Sequence, residues 1–214
     1  MTDTVAATTR RREATRQKLL DAAAQVFAEV GLDAASVEAI CERAGFTRGA
    51  FYSNFETKDE LFLELSGNVA RERVRAVRGR VLELESAGAL DDTPTRAFDI
   101  VQQVLDISAD DRLGVLLMSE IRIHALRNPQ LAAAYLAQED EMRRSVSQII
   151  EDIARAKALR FRIPADEAAR LMLTVWEGAS VRAVMSGLDY EEMCVHTNAE
   201  LARVAQLIID APED

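Results

Sequence analysis

Residues 36–55 read SVEAICERAGFTRGAFYSNF, and this stretch decides how the rest of the chain is read. Ser36 is a favourable N-cap, because its hydroxyl can accept a backbone N–H from the first turn of a helix. Beyond it Val37, Ile40, Cys41 and Ala44 fall at i, i+3, i+4 and i+7, which makes one apolar helical face. Gly45 ends that helix, since glycine takes the left-handed conformation a tight turn requires. Thr47 can cap a second, very short helix that runs to about Asn54 and buries Phe51 and Phe55 one turn apart. Two short helices joined by Gly45-Phe46-Thr47 have the dimensions of a helix-turn-helix. Arg48, Gly49, Tyr52, Ser53 and Asn54 form its exposed set, with Gly49 and Ala50 small enough to let a groove come close. Arginine can read guanine and asparagine can read adenine in the major groove. Short helix pairs with a glycine turn also occur in proteins that never touch DNA, so spacing alone leaves both readings open.

Working outward, the same periodicity continues. Leu19, Leu20, Ala23, Val26, Phe27 and Val30 predict a first helix from about Arg10 to Val30, stopped at Gly31. Downstream, Thr57 and Glu60 form a T-x-x-E capping box, which starts a fourth helix at Lys58. That helix runs through Leu61, Phe62, Leu65 and Val69 to about Glu85. Further helices are expected near 94–108, 110–127, 129–159, 164–187 and 190–210, with Pro94, Pro129 and Pro164 at starting positions. Ser86 to Thr93 reads as a loop. The expected fold is all-α, with domains at 1–57 and 58–214.

Composition agrees. Ala, Leu, Glu and Arg, all strong helix formers, supply nearly half of the 214 residues. The longest apolar run, Leu131 to Ala137, is far shorter than the roughly 20 residues a membrane span needs. The N-terminus MTDTVAATTRRREATR has no apolar stretch after its arginines, so no secretory signal is read there and a cytoplasmic location is expected. Cys41 and Cys194 show no metal-ligand spacing and read as reduced core thiols. The net charge is −10, but it is uneven: residues 1–80 carry 13 Lys/Arg against 12 Asp/Glu, and residues 81–214 carry 13 against 24. Arg10, Arg11, Arg12, Arg16 and Lys18 cluster before the first apolar face. This is either a solvated arm or a phosphate-binding surface, and charge permits DNA binding without showing it.

The stretch from Leu19 to Phe62 closely resembles the DNA-binding module of TetR-family transcriptional regulators. The matching motifs are Phe27 to Gly31, Ser36, the run Ala44-Gly45-Phe46-Thr47-Arg48-Gly49-Ala50-Phe51-Tyr52-Ser53-Asn54-Phe55, and Lys58-Asp59-Glu60-Leu61-Phe62. The resemblance implies about nine helices. An N-terminal three-helix DNA-binding domain would precede a helical ligand-binding and dimerisation domain, connected by the fourth helix. It implies phosphate contacts from Ser36, Thr47, Tyr52 and Lys58. Arg48, Ala50, Ser53 and Asn54 would lie on the base-facing part of the recognition helix, with Gly49 beside them. Many relatives carry an aromatic residue or histidine where this chain has Asn54, so base preference does not transfer.

For the C-terminal part the resemblance is one of helix order. The helix Ala165–Gly187 is apolar on more than one face, as expected of a helix buried on two sides. With the last helix it is expected to form a homodimer interface through Val181, Val184, Met185, Leu201, Val204, Ala205 and Ile208. The alternative is that both helices close a monomer core. A two-fold dimer matches a palindromic double-stranded operator. Met118, Arg122, His124, Tyr135, Met142 and Trp176, with Glu120 and Glu177 nearby, are candidates for an effector pocket; each also reads as ordinary core or surface. Arg122 or His124 could anchor a carboxylate on a small, mostly apolar effector. Glu120 and His124 lie four residues apart, but no third metal ligand is in pattern. No metal, cofactor or catalytic residue is expected, because no nucleotide, hydrolase or metalloprotease motif is present. The expected function is a repressor released from DNA when an effector moves the fourth helix. The alternative is an architectural or co-regulator protein without an effector.

Overall fold

The structure, a computed structural model, describes residues 2–86, 112–156 and 160–209. Eight helices lie among the described residues: α1 (Thr2–Ala34), α2 (Val37–Ala44), α3 (Arg48–Tyr52), α4 (Lys58–Ser86), α5 (Arg112–Arg127), α6 (Pro129–Ala156), α7 (Ala165–Met185) and α8 (Tyr190–Ile208). The expected helix at 94–108 lies outside the described residues, as does the expected loop from residue 87 onward. One isolated antiparallel bridge, Phe161 with Ile209, ties the end of α8 to the chain before α7.

α1 differs from its expected bounds at both ends. It begins eight residues earlier, and it bends at Gly31 (φ 80°, ψ 162°) and continues for one more short turn to Ala34. Only glycine takes that φ without strain. Gly45 (φ 70°, ψ 32°) stops α2 as expected, its N–H directed to the carbonyls of Cys41 and Glu42. The start of α4 is capped in a shifted form. Thr57 Oγ1 accepts the Glu60 N–H at 3.0 Å, while the Glu60 carboxylate accepts the N–H of Glu56 rather than of Thr57, at 2.6 Å.

The chain divides into two compact units, residues 1–69 with 116–135 and residues 70–115 with 136–214. The first unit is therefore larger than residues 1–57. Leu61, Phe62 and Leu65 of α4 and Leu117, Ile121 and Ala125 of α5 are buried in the same core as α1, α2 and α3. Phe27, Phe51, Phe55 and Phe62 are its largest fully buried side chains. Removing each from water stabilises the unit by roughly 1.5–3 kcal/mol. Cys41 belongs to this core, and burial pushes its thiol pKa up, away from reactivity. In the second unit α7 packs on α8. Ala168, Ala169 and Met172 meet Leu201, Val204, Ala205 and Ile208, with Ile150 of α6 completing the cluster. Val115, Ala183 and Met193 form a smaller one.

Candidate nucleic-acid interface

Five residues are too few to form a stable helix alone, so α3 depends on what holds it in place. Thr47 caps it, accepting the Ala50 N–H at 3.3 Å, and Phe51 anchors it in the core with its ring 5.8 Å from that of Phe55. Ser36 caps α2 in the same way through the Ala39 N–H at 3.1 Å. Both hydroxyls thus fix helix starts while remaining exposed. The outward side of α3 carries Arg48, Gly49, Tyr52 and Ser53, with Ala50 half-buried behind them. Tyr52 is half exposed, and the Arg48 guanidinium lies 5.9 Å from the centre of its ring. Arg48 also pairs with Glu38 of α2 at 2.7 Å, a contact between helices that residue spacing does not reveal. That pair is open to solvent, so it orients Arg48 without binding it tightly.

Two of the expected contact residues are placed differently. Asn54 is buried: its amide nitrogen donates to the Ala50 carbonyl at 2.8 Å, and its Oδ1 has no hydrogen-bond partner. It lies three residues after Phe51, on the core side of the turn, and presents no edge to a base. Lys58 donates through Nζ to the carbonyls of Leu32 at 2.6 Å and Ala35 at 2.8 Å. These are carbonyls at the end of α1, which lack helical donors. The lysine is thereby committed to joining α4 to α1.

The expected effector residues are divided between the two units. Met118 and Tyr135 pack on the core of the first unit, and Arg122 Nε donates to the Tyr135 hydroxyl at 3.3 Å. Met142 and Trp176 belong to the second unit, where Trp176 packs on the α7–α8 cluster. A groove of about 580 Å³, lined by Val26, Glu29, Val30, Ala39 and Arg43 among others, contains none of the six.

Glu120 and His124 have a different partner from the one their spacing suggested. Glu120 Oε1 accepts the Leu32 N–H at 2.7 Å and lies 3.0 Å from His124 Nε2. The same oxygen is 3.1 Å from where a Cβ on Gly31 would stand. Glycine at the bend of α1 therefore both takes the positive φ and leaves room for the carboxylate. The His124 ring in turn meets Phe62 edge-on at 5.6 Å. Among the described residues no group of three His, Cys, Asp or Glu is placed to hold a metal ion. Glu120→Ala is expected to destabilise the first unit by about 1–3 kcal/mol, because the Leu32 N–H loses its acceptor. Glu120→Gln, whose amide oxygen can still accept, should recover most of that in urea unfolding. Equal losses would show that the Leu32 bond is unimportant.

Comparison with known proteins decides the family. Residues 19–65 match the model of bacterial regulatory proteins of the TetR family, and residues 94–206 match that of the BetI-type transcriptional repressor C-terminal domain. The chain belongs to the TetR family of transcriptional regulators. It is thus a DNA-binding regulator, with the helix-turn-helix formed by α2 and α3. Among curated TetR-family relatives, the nicotine-responsive transcriptional repressor HdnoR of Paenarthrobacter nicotinovorans is 28% identical over 185 residues, covering 84% of this chain and 89% of that protein. The regulator UidR of Escherichia coli K12 is 24% identical, with 84% of each chain covered. Among solved structures, SmeT, repressor of the Stenotrophomonas maltophilia efflux pump SmeDEF, aligns with a TM-score of 0.66 at 21% identity, over 94% of this chain and 93% of SmeT. The fatty acid degradation regulator FadR of Bacillus halodurans aligns with a TM-score of 0.70 at 19% identity, over 90% and 93%. At these identities the structural likeness concerns the fold.

Proposed function

We propose that this TetR-family regulator acts as a homodimeric repressor, released from a palindromic operator by a small, mostly apolar effector. The observation that carries the reading is the outward face of α3. Arg48, Gly49, Tyr52 and Ser53 stand exposed on a helix whose other side is locked by Phe51. In this reading Arg48 and Ser53 face bases. Ser36, Thr47 and Tyr52 meet phosphates, and Gly49 and Ala50 let the groove approach. Asn54 and Lys58 act through the fold instead. The protein works inside the cell as a regulator with no catalytic residues, and no described helix is long and apolar enough to cross a membrane.

The dimer surface in this proposal is revised from the sequence expectation. Leu201, Val204, Ala205 and Ile208 are buried against α7 of their own chain, which leaves little of their surface for a partner. Val184 packs partly on the Val115–Met193 cluster. The opposite sides of α7 and α8 carry exposed apolar residues: Leu171 and Met185 on α7, and Val195 with Ala199 on α8. Met185 is 81% and Val195 71% exposed, more than an isolated chain would be expected to leave on two adjacent helices. A second copy laid across this face gives the two-fold axis that a palindrome requires. Met185→Glu combined with Val195→Glu is expected to convert the protein from dimer to monomer in sedimentation experiments while leaving its helicity unchanged. Operator binding should fall with the dimer. A double variant that remains dimeric would place the interface elsewhere. Titration of the operator complex with candidate apolar ligands tests the effector. Release by one of them favours the repressor, and indifference to all of them favours the architectural alternative.

A further inference from the structure

Arg16 lies just upstream of the family-matched stretch, within the basic cluster that reads as an arm or a phosphate surface. The structure commits it inward. Its Nε donates to Glu64 Oε1 at 2.8 Å, and its Nη2 donates to Glu64 Oε2, completing a bidentate pair with the second turn of α4. Its Nη1 donates to the carbonyl of Asn54, immediately after α3. The guanidinium carbon stands 4.2 Å from the centre of the Phe55 ring. One turn earlier, Arg12 Nη2 donates to the Ser53 carbonyl at 3.1 Å. Three successive residues at the end of α3 are therefore held from α1, two through carbonyls and one through a ring. Such carbonyls lack donors within their own helix. All three guanidinium nitrogens of Arg16 are engaged, and both members of the pair are more than two-thirds buried.

We infer that Arg16 is a positioning residue for DNA recognition. By gripping the end of α3 and Glu64 of α4 together, it sets the angle at which α3 enters the groove, although neither Arg16 nor Glu64 touches DNA. The inference rests on the proposed role of α3 as the base-reading helix. A planar fork is needed, because a lysine ammonium cannot pair bidentately with Glu64 and also reach the Asn54 carbonyl in one plane. Glu64 is part of the device. Any movement of α4 that withdraws its carboxylate frees the guanidinium and loosens the end of the recognition helix.

The test uses the full-length protein and the duplex it prefers from a random-sequence pool, with a scrambled duplex of the same length as the non-specific probe. Binding of both is followed by fluorescence anisotropy over a range of salt concentrations, at a temperature where circular dichroism shows each variant folded. Arg16→Lys and Glu64→Gln should each weaken binding to the preferred duplex about tenfold, leave the scrambled duplex within about twofold, and keep the salt slope of wild type. The double variant should bind no worse than the weaker single one, because the two residues act as one unit. An Arg16 that instead contacts phosphate would keep most of its affinity as lysine. As glutamine it would lose binding to both duplexes equally, with the salt slope reduced by about one. Glu64→Gln would then tighten binding by removing a negative charge. Either outcome overturns the inference, and Glu64→Gln decides alone if the lysine variant does not fold. A wild-type protein that prefers no sequence would overturn the reading of α3 itself. That is distinguishable from variants that bind as wild type does.

Discussion

Phe62→Ala is expected to lower the unfolding free energy of the helix-turn-helix unit by about 3–5 kcal/mol, the range for deleting a buried aromatic ring. Phe62 is fully buried, with its ring 5.4 Å from that of Phe27 in an edge-on contact and 5.6 Å from the imidazole of His124. Three elements meet at this ring: α1 through Phe27, α4 through Phe62 itself and α5 through His124. The cavity left by alanine cannot close easily. The start of α4 is fixed by the Thr57 cap and by Lys58 bonded to the end of α1, and α5 is fixed by Glu120 on the Leu32 N–H. Urea unfolding followed by far-ultraviolet circular dichroism measures the loss. A change below about 1 kcal/mol would mean that the site collapses freely, and the account of a rigid three-element junction would fail.

Arg48→Ala is expected to weaken binding to the preferred duplex by about tenfold or more, and binding to unrelated DNA much less. A bidentate arginine–guanine contact carries discrimination of that order, whereas one phosphate contact lowers all affinities alike. The guanidinium is exposed, held over Tyr52 and beside Glu38, and so is already presented outward before DNA arrives. Glu38 must release it to a base, which an exposed ion pair does at little cost. Anisotropy titrations on matched and scrambled duplexes separate the two cases. Equal losses on both would move Arg48 to the phosphate-contacting class.

Local chemistry was readable from the chain. Ser36, Gly45 and Thr47 take the capping and left-handed roles their residue types suggest, because each acts on backbone within a few positions of itself. The Asp189–Glu192 box that opens α8 is equally local, a D-x-x-E spacing legible in the chain itself. Asn54 carried a usable signal too. Its place three residues after Phe51 puts it on the buried side, where asparagine bonds back to a carbonyl four residues earlier. The stripe Leu201, Val204, Ala205 and Ile208 is legible in the chain, but a stripe does not say which partner it faces, and α7 of the same chain packs on it. Glu120 on Leu32 and Arg16 on Glu64 were beyond reach. They join residues 88 and 48 positions apart, and nothing in the neighbourhood of either partner encodes the pairing.

In the proposed function α3 makes this protein a dimeric reader of DNA sequence. The most direct measurement is selection of bound duplexes from a random-sequence pool by the purified full-length protein, at two salt concentrations, followed by sequencing. The expected result is a set that shares an inverted repeat, with half-sites one helical turn or a multiple apart, and that survives the higher salt. Recovery without sequence preference, lost as salt rises, would contradict it, because binding would then be electrostatic alone.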